Sequence, residues 1–324
     1  MAGSRVAGIP RGLIFGIQPL ANLATMVLMK TRLGSRVGLG RVALAAALFV
    51  GAGSAVGGEF TVMKDIKFAE VDGHELKLDL YLPNEAKNSP LVVWVHGGAW
   101  RRGSKSSMPL TDLVREGFAI ASVDYRLSPV AKFPAAIHDI KGAIRFLRAK
   151  QGEHGYNAKK IAIAGASAGG HLVALVGTTN GHEELEGDVG GNLDQSSAVQ
   201  AIVSYYGASN FMTILGQSTP HGLSVRVPAL ELFIGGRPED APELARLASP
   251  VNHVDENDPP LLLIHGDQDP QMPINQSHEL HGRYKELGLE ATFEVVHGAA
   301  HGGKAFHDAR RVGIVNRFLD RWVR

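Results

Sequence analysis

The feature of this sequence that most constrains its fold is a set of short runs made almost entirely of apolar residues. Five of them stand, in chain order, at residues 91–95, 118–123, 161–164, 201–206 and 261–264. Continuous apolar runs of this length are typical of strands that a sheet buries on both faces. Between them lie helical patterns; Ile137, Ile140 and Ile144, for example, share one apolar face. Alternating buried strands and amphipathic helices predict an α/β fold with a mostly parallel central sheet and helices on both faces.

Residues 58–324 are predicted to form one domain built on this sheet, without a large separate cap domain. Leu76, Leu78 and Leu80 alternate with polar residues, which predicts a strand with one buried face. Residues 292–296 have the pattern of another strand. At the carboxyl end, a helical pattern is predicted over residues 304–322.

Residues 1–57 have the pattern of a leader rather than of a domain. Basic residues from Met29 onwards precede an apolar stretch at 42–50 and then a segment of small residues, which is the composition of a secretory signal. Ala55 and Gly57 both fit the last residue of that signal. The sequence therefore predicts export to the periplasm or the extracellular space.

The apolar tract upstream of Met29 is broken by Pro19 and is too irregular to predict a membrane span. We interpret this tract as the product of a start codon placed too early, with Met29 as the true beginning. The alternative is an uncleaved membrane anchor, because about 17 to 25 apolar residues suffice for a span. Only in that alternative would the protein contact a membrane.

The composition excludes several classes of function. The 324-residue chain contains no cysteine, which excludes disulfides, thiolate nucleophiles and cysteine-ligated metal sites. Its formal net charge is +1 with acidic and basic residues interspersed, so nucleic acid is not an expected partner. No histidine and carboxylate spacing matches a metal site. We expect neither cofactor nor metal, and a neutral or weakly charged substrate.

Ser167 is the predicted nucleophile. It lies in the segment 165–169, Gly-Ala-Ser-Ala-Gly, which follows the apolar run 161–164 and precedes a helical pattern. The Gly-x-Ser-x-Gly elbow requires this strand, tight turn and helix, because small flanking residues let the serine sit strained and exposed. The alternative is a glycine-rich turn in which the serine only caps the helix.

A glycine-rich loop after the run 91–95 is predicted to hold the oxyanion. Acyl transfer places negative charge on the former carbonyl oxygen, and backbone amides aimed at that atom stabilise it. Glycine allows the backbone to approach closely. The amides of Gly98 and Ala168 are the expected donors, with Gly97 or Ala99 as alternatives.

Two larger side chains flank these glycines. His96 is interpreted as a structural residue that holds the loop and not as a base. Trp100 is predicted to bind substrate by lining the acyl or alcohol pocket, with packing under the loop as the alternative.

Asp269 is the predicted catalytic acid. It belongs to the segment 265–270, which follows the run 261–264, and an acid is expected between the serine and the histidine in chain order. Asp267 competes for this role, but the turn before Asp269 gives its side chain room to reach the site, whereas Asp267 is expected to cap the turn. The acid would fix the tautomer of the histidine and stabilise the imidazolium.

His301 is the predicted general base. It lies among small residues in the loop before the last helical pattern, and His297 at the preceding strand end is the alternative. A histidine side chain changes charge near neutral pH, so it can accept the serine proton and return it to the leaving group. The other histidines, including His171, His265 and His307, are interpreted as core or surface residues.

Five motifs together resemble the family of bifunctional feruloyl and acetylxylan esterases, which is related to the hormone-sensitive-lipase-like carboxylesterases. In the family's order they are residues 96–100, 124–127, 133–136, 165–172 and 265–269. The likeness covers roughly residue 65 to the carboxyl end. It implies the α/β-hydrolase fold, with Ser167 as nucleophile, Asp269 as acid and His301 as base.

Two further segments are given structural interpretations. Asp124 and Arg126 are expected to form an ion pair that holds a loop. Residues 181–200 are polar and rich in glycine, which favours a flap over the site.

The expected reaction is hydrolysis of a carboxylic ester through an acyl-enzyme. The resemblance implies acetyl or feruloyl esters of polysaccharide, or other short acyl esters. One alternative is an amide hydrolase on the same triad, either an arylformamidase-like enzyme or a peptidase. An alternative of another class is a catalytically inactive hydrolase fold that only binds a ligand.

Overall fold

An eight-stranded sheet lies at the centre of the part of the chain that the structure describes. The structure, a computed structural model, describes residues 59–84 and 87–324, and the predicted leader lies outside them. The strands are β1 Phe60–Val71, β2 His74–Pro83, β3 Ser89–Val95, β4 Ala119–Val123, β5 Tyr156–Ala166, β6 Ala201–Tyr205, β7 Leu261–Gly266 and β8 Ala291–Val296. Their order is β1-β2-β4-β3-β5-β6-β7-β8. The β1–β2 and β2–β4 pairs are antiparallel and the other pairs are parallel, so the predicted fold class is confirmed.

Helices cover both faces of this sheet. The α-helices are α1 Thr111–Arg115, α2 Ala135–Ala149, α3 Ala168–Gly177, α4 Glu183–Glu186, α5 Phe211–Gln217, α6 Pro220–Ile234, α7 Pro242–Leu247, α8 Asn275–Glu286 and α9 Ala309–Val323. Successive residues of β3 point to opposite faces: Val93 packs in the core that α2, α3 and α8 cover, and Val92 in the core that α1 and α9 cover. None of the helices in the described ranges combines the length and apolar composition needed to cross a bilayer.

The long connection between β6 and β7 folds into helices α5, α6 and α7. Their apolar residues Phe211, Ile214 and Phe233 are buried in the same core as α2 and α3. Because this insertion packs into the main core, no separate cap domain forms in the described residues, as predicted.

The first strand of the sheet is not predicted by the apolar runs or by the alternating leucines. β1 pairs with β2 through a two-residue turn, Asp72-Gly73, in which both residues have positive φ. Such Asp-Gly turns match the right-handed twist of a hairpin. Irregular pairing between Met63 and Ile66 interrupts the alternation of side chains along β1, and this interruption hides the strand from a periodicity search.

The final helix begins later than predicted. Lys304–His307 forms a 3-10 turn, and α9 starts at Ala309. Asp308 separates the two with an extended backbone, and its side chain accepts a hydrogen bond from the Arg311 amide at 2.9 Å. An N-cap of this kind satisfies a first-turn amide that no helical carbonyl reaches.

The sheet brings the loops that carry the sequence motifs to one edge. β3 and β5 are parallel neighbours, and Val95 pairs with Gly165 near their carboxyl ends. The glycine-rich loop after β3 and the serine turn after β5 therefore leave the sheet side by side. The loops after β7 and β8 emerge from the same edge, where open α/β sheets bind ligands.

Candidate active site

Ser167 occupies the sharp turn between β5 and α3. Its backbone has φ 57° and ψ −118°, a conformation that non-glycine residues rarely adopt. Strain of this kind costs of order 1–3 kcal/mol and persists where the surrounding structure determines it. Here the Ser167 amide donates a 2.9 Å hydrogen bond to the carbonyl oxygen of Tyr205, which ties the turn to β6.

Two glycines make this turn sterically feasible. A Cβ on Gly169 would lie 2.1 Å from the carbonyl oxygen of Val95, and a Cβ on Gly165 would lie 2.5 Å from the carbonyl oxygen of Gly169. Neither distance is compatible with a side chain. The two glycines of the motif therefore let α3 start directly against the end of β3.

His301, in the loop after β8, bridges the serine and an acid. Its Nε2 lies 2.8 Å from Ser167 Oγ, and its Nδ1 lies 2.6 Å from Asp269 Oδ2. An ionised carboxylate only accepts hydrogen bonds, so Nδ1 carries the proton and Nε2 is free to accept from the serine hydroxyl. The ring of Tyr206 contacts the imidazole edge to face at 4.8 Å.

Asp269 is buried and surrounded by donors. Its Oδ1 accepts 2.8 Å hydrogen bonds from the amides of Gln271 and Met272, while Oδ2 faces His301. Burial by itself raises the pKa of this carboxyl, but the contacts with His265 and His301 and the Met272 amide outweigh it and lower the pKa well below its ordinary value. The side chain therefore remains a carboxylate at neutral pH.

His265 is a buried core residue, and it also touches the acid. Its Nε2 faces the carbonyl oxygen of Met272, which can only accept, so the ring proton lies on Nε2 and Nδ1 accepts from the hydroxyl of Ser277 at 2.7 Å. Nε2 is 3.0 Å from the carbonyl oxygen of Met272 and 3.4 Å from Asp269 Oδ2. His265 thus holds the turn that presents Asp269 to His301.

Asp267 and His297, the alternatives for the acid and the base, form a separate pair away from Ser167. Asp267 Oδ2 lies 2.8 Å from His297 Nδ1, and its Oδ1 accepts from the amide of Gly298 at 2.7 Å. The His297 side chain is 84% exposed. Asp267 therefore caps a turn, as expected, and neither it nor His297 contacts Ser167.

The glycine-rich loop after β3 packs directly on the serine turn. A Cβ on Gly97 would lie 2.7 Å from the carbonyl oxygen of Ala166, so only glycine fits there. Gly98 and Ala99 have positive φ, and both line the same cavity as Ser167.

Ala168 follows the serine and is the first residue of α3. It is fully buried, so its side chain does not reach the cavity. Its amide belongs to the first helical turn, where no intrahelical carbonyl can accept it. The loop amides and this amide thus flank Ser167 from two sides.

Trp100 does not line the cavity, and the substrate contact predicted for it is wrong. The indole is fully buried, stacked on Phe233 at 4.9 Å, and its Nε1 donates to Nδ1 of His171 at 3.1 Å. It packs under the loop because α6 and α3 supply partners for both its ring and its N–H group. His96 is also buried, stacked on Tyr125 at 4.5 Å, in agreement with its structural interpretation.

A cavity of about 580 Å³ opens beside Ser167. Small-molecule sites commonly have volumes of about 300–1,000 Å³. The wall combines the glycine-rich loop and the segment that follows it, the serine turn, and side chains from β3, α6 and the loops after β6, β7 and β8. The described residues that line it are Trp94, Gly97, Gly98, Ala99, Arg101, Arg102, Ser107, Met108, Pro109, Ala166, Ser167, Tyr206, Val225, Arg226, Gln271, His301 and His307.

Most residues of this wall were not predicted as part of a site, and three of them carry a polar or ionisable side chain of particular interest. Tyr206 ends the apolar run 201–206, where a strand-end residue reaches the ligand edge of the sheet, and burial raises its pKa to about 12. His307, expected from the sequence to be a core or surface residue, lines the cavity, and burial lowers its pKa. Arg226 belongs to α6 and to no motif, so the sequence offers no signal for it.

The ion pair expected between Asp124 and Arg126 does not form. Arg126 Nη2 instead lies 2.7 Å from Asp139 Oδ1, on a fully buried carboxylate of α2. Asp124 Oδ1 accepts from the amide of Lys105 at 2.7 Å. A buried carboxylate requires a cation as a partner. Asp139 therefore pairs with Arg126, the arginine that was expected to pair with Asp124.

Residues 181–200 do not form the flap over the site that the composition suggested. α4 packs against α2, where the buried Lys141 lies 2.6 Å from Glu186 Oε1 and Arg145 donates to the Val189 carbonyl at 3.2 Å. None of the residues 181–200 lines the cavity. The segment instead supplies acceptors for two buried cations of α2.

Solved and curated esterases are similar to this chain. A carbohydrate esterase from gut microbiota, solved in truncated form, is 31% identical with a TM-score of 0.71 over 81% of this chain and 95% of its own. A bifunctional GH43-CE protein of Bacteroides eggerthii is 35% identical with a TM-score of 0.73 over 80% of this chain and 35% of its own. Esterase LipC of Mycobacterium tuberculosis is 34% identical over 69% of this chain and 55% of its own length.

The chain spans about half the length of the curated relatives that it matches. The BD-FAE family model matches residues 78–284, which is more than half of the chain. This match covers β3, the serine turn and the segment with Asp269, and the likeness to solved esterases extends beyond it. The resemblance seen in the sequence motifs is therefore confirmed: the chain has the α/β-hydrolase fold and belongs to the BD-FAE family.

Proposed function

We propose that the protein is a serine hydrolase that cleaves carboxylic esters through an acyl-enzyme. The observation that carries this proposal is the position of His301, whose Nε2 lies 2.8 Å from Ser167 Oγ and whose Nδ1 lies 2.6 Å from Asp269 Oδ2. Nucleophilic catalysis by serine requires such a base, oriented by a third group. The three residues would act as nucleophile, base and acid.

In the first half of the reaction, Ser167 Oγ attacks the ester carbonyl carbon and its proton passes to His301 Nε2. The resulting imidazolium is stabilised by Asp269, which keeps its own charge because its pKa lies well below neutral pH. His301 then gives the proton to the leaving alcohol oxygen as the carbon–oxygen bond breaks. The acyl group remains on Ser167.

In the second half, a water molecule takes the place of the alcohol. His301 accepts a proton from the water as its oxygen attacks the acyl carbon, and returns that proton to Ser167 Oγ when the acid leaves. The cycle uses protein groups and water, and we propose no cofactor or metal.

The oxyanion of both tetrahedral intermediates is proposed to bind the amides of Gly98 and Ala168, with Gly97 or Ala99 as alternative donors. The glycine-rich loop lines the cavity beside Ser167, and Ala168 begins α3 with an amide that no helical carbonyl accepts. Loss of one such donor typically lowers kcat by about 10²- to 10³-fold.

The proposed substrates are acetyl or feruloyl esters of polysaccharide, or other short acyl esters. Membership of the BD-FAE family and the likeness to a gut carbohydrate esterase support this class. The cavity of about 580 Å³ also provides space for an acyl group beside Ser167. The polysaccharide chain itself would remain outside it.

Release of acetate and ferulate from xylan, measured beside hydrolysis of 4-nitrophenyl acetate and acetanilide, tests this proposal. We expect ester hydrolysis by the wild type, none by Ser167→Ala, and labelling of Ser167 by a fluorophosphonate. Faster cleavage of the anilide than of every ester would favour an amide hydrolase. Absence of both labelling and hydrolysis would indicate a binding protein.

We also propose that the protein is exported. The proposal rests on the leader composition of residues 1–57, with its basic residues, apolar stretch 42–50 and small residues. Cell fractionation of the full chain, followed by mass spectrometry of the amino terminus, tests it. A new amino terminus near Ala55 or Gly57 supports cleavage, and an intact protein retained in membranes supports the anchor.

A further inference from the structure

The wall of the cavity beside Ser167 is positively charged. Arg101, Arg102 and Arg226 contribute to it, and none of the described residues that line it is acidic. The near-zero net charge of the whole chain does not reveal this local imbalance. A one-sign lining of a cleft concentrates ligands of the opposite charge.

Arg226 is the most unusual of these cations because it is only 1% exposed. Its Nη2 donates to the carbonyl oxygen of Gln271 at 3.1 Å, and its guanidinium lies 5.8 Å from the ring centre of Trp100. Its Nε and Nη1 have no hydrogen-bond partner among the described residues. A buried guanidinium with two unpartnered nitrogens is costly to the fold and calls for an anion.

The residues that the structure describes do not provide that anion. Among the described residues, no carboxylate forms an ion pair with Arg226 or with the half-buried Arg101. The negative charge of Asp269 raises the pKa of Arg226, but its two oxygens already accept from His301 and from the amides of Gln271 and Met272.

Arg101 adds a second positive charge close to Arg226 in the cavity wall. Burial and the nearby charge of Arg101 lower the pKa of Arg226 to about 10, against the opposing effect of Asp269. Arg226 therefore stays charged at neutral pH, and no acidic residue among the described residues of the cavity wall balances its charge or that of Arg101. His307 also lines the cavity, but burial lowers its pKa, so at neutral pH its side chain adds no charge to the wall.

We propose that Arg101 and Arg226 form a subsite for a carboxylate of the substrate, so that the enzyme prefers esters that carry a second, ionised carboxyl group. This inference rests on the proposed ester hydrolysis at Ser167 and narrows its substrate class. Arginine suits the role because its planar guanidinium donates charge-assisted, bidentate hydrogen bonds to carboxylates. The carboxylate belongs either to the acyl group or to the alcohol, and the test separates the two.

Matched pairs of esters that differ only in charge provide the test. On the alcohol side, 4-acetoxybenzoate is compared with 4-acetoxybenzamide; on the acyl side, monomethyl adipate is compared with its amide, methyl adipamate. Wild-type kcat/KM should favour the carboxylate by about 10- to 100-fold in one pair, as a charge-assisted hydrogen bond implies. A ratio near one in both pairs, with 4-nitrophenyl acetate still hydrolysed, overturns the subsite and leaves the esterase proposal standing.

Substitutions of the two arginines test whether they cause the preference for the carboxylate ester. Arg101→Gln and Arg226→Met should each lower the carboxylate-to-amide ratio at least about fivefold. Arg283→Gln is the matched control, because the Arg283 side chain is 43% exposed, pairs with Glu286 at 3.1 Å and lies outside the cavity. It should keep the wild-type ratio. An equal loss of activity towards both members of a pair in Arg101→Gln and Arg226→Met would mean that the arginines only support the fold, and would overturn the inference.

The subsite can also be tested by ligand binding, which does not require that any ester is cleaved. Calorimetry on Ser167→Ala with adipate and adipamide should show tighter binding of adipate, and Arg101→Gln should remove the difference. Equal affinities contradict the subsite whether or not the protein is an esterase. Failure of fluorophosphonate labelling, by contrast, bears on the proposed hydrolysis alone.

Discussion

Trp100 and His171, 71 residues apart in the chain, are joined by a buried hydrogen bond from Nε1 of the indole to Nδ1 of the imidazole, at 3.1 Å. His171 Nε2 lies 2.7 Å from the carbonyl oxygen of Ala248, so the proton is on Nε2 and both ring nitrogens are satisfied only when the ring is neutral. Burial lowers the pKa of His171 to about 4. This neutral ring links the glycine-rich loop to α3 and to the segment after α7.

His171 should make the protein less stable in acid. Its pKa is 6.5 in the unfolded reference and about 4 when folded, so between these pH values the unfolded chain binds more protons. The free energy of unfolding therefore falls as the pH drops from 6.5 towards 4, by about 2 kcal/mol at pH 5. Urea unfolding at pH 7.5 and pH 5 should show a smaller difference between the two pH values in His171→Gln. An equally large difference in the variant would rule out His171 as the titrating group.

Asp269→Asn and Asp267→Asn form a matched pair that tests the choice of acid. Asp269 lies 2.6 Å from His301, whereas Asp267 pairs with the exposed His297. We expect Asp269→Asn to lower kcat by about 10⁴-fold, since an amide favours the wrong histidine tautomer. Asp267→Asn should retain a kcat close to that of the wild type. Steady-state kinetics on 4-nitrophenyl acetate measure both, and a reversed order would transfer the role to Asp267.

The close packing of the serine turn can be tested with two glycine substitutions of opposite expected sign. Gly169→Ala places a Cβ 2.1 Å from the Val95 carbonyl and should destabilise the fold by about 1–3 kcal/mol. Gly282→Ala, in α8, meets nothing within 4 Å and should stabilise it by about 1 kcal/mol through higher helix propensity. The midpoints of urea unfolding show whether each substitution raises or lowers the stability of the fold. Stabilisation by Gly169→Ala would contradict the packing of α3 against β3.

Asp258 should produce the opposite pH dependence to His171. Burial raises its pKa from 3.8 to about 7, against the hydrogen bond that it accepts from the Asp255 amide. The folded protein therefore binds more protons between these pH values, and its stability falls as the pH rises through them. Asp258→Asn should raise the free energy of unfolding at pH 8 by about 1–2 kcal/mol, because the side chain is only partly buried. The gain should shrink at pH 4.5, and an equal gain at both pH values would exclude titration as its cause.

Residues whose position depends on strand order were the best predicted from the sequence. Ser167, Asp269 and His301 each lie in the loop or turn that follows a strand of the parallel part of the sheet, and such strands end at one edge, so strand order alone brings the three loops together. Strand order does not separate Asp269 from Asp267, and that choice rests instead on the turn before Asp269, which gives its side chain room to reach the site. Tyr206 carries the same signal, because it also stands at a strand end, and a systematic search of strand ends would have found it.

Residues whose position depends on how helices dock were poorly predicted. Trp100 stands in a motif, but its indole turns away from the cavity because Phe233 of α6 and His171 of α3 provide a better partner for the ring and its N–H. Arg226 enters the cavity wall from an insertion whose placement no periodicity reveals. Arg126 pairs with Asp139, a contact that depends on where α2 lies against the loop.

The pairing of Val95 with Gly165 has a consequence for how this scaffold can change. The proposed oxyanion loop and the serine turn each leave the sheet just beyond this pair, so their separation follows the spacing of about 4.8 Å between adjacent strands. Substitutions at Arg101 or Arg226 would alter which molecules are accepted without altering that separation. Substrate preference can therefore change through side chains of the cavity wall, while the distance between the proposed oxyanion loop and the serine turn is fixed by the hydrogen-bonded pairing of β3 and β5.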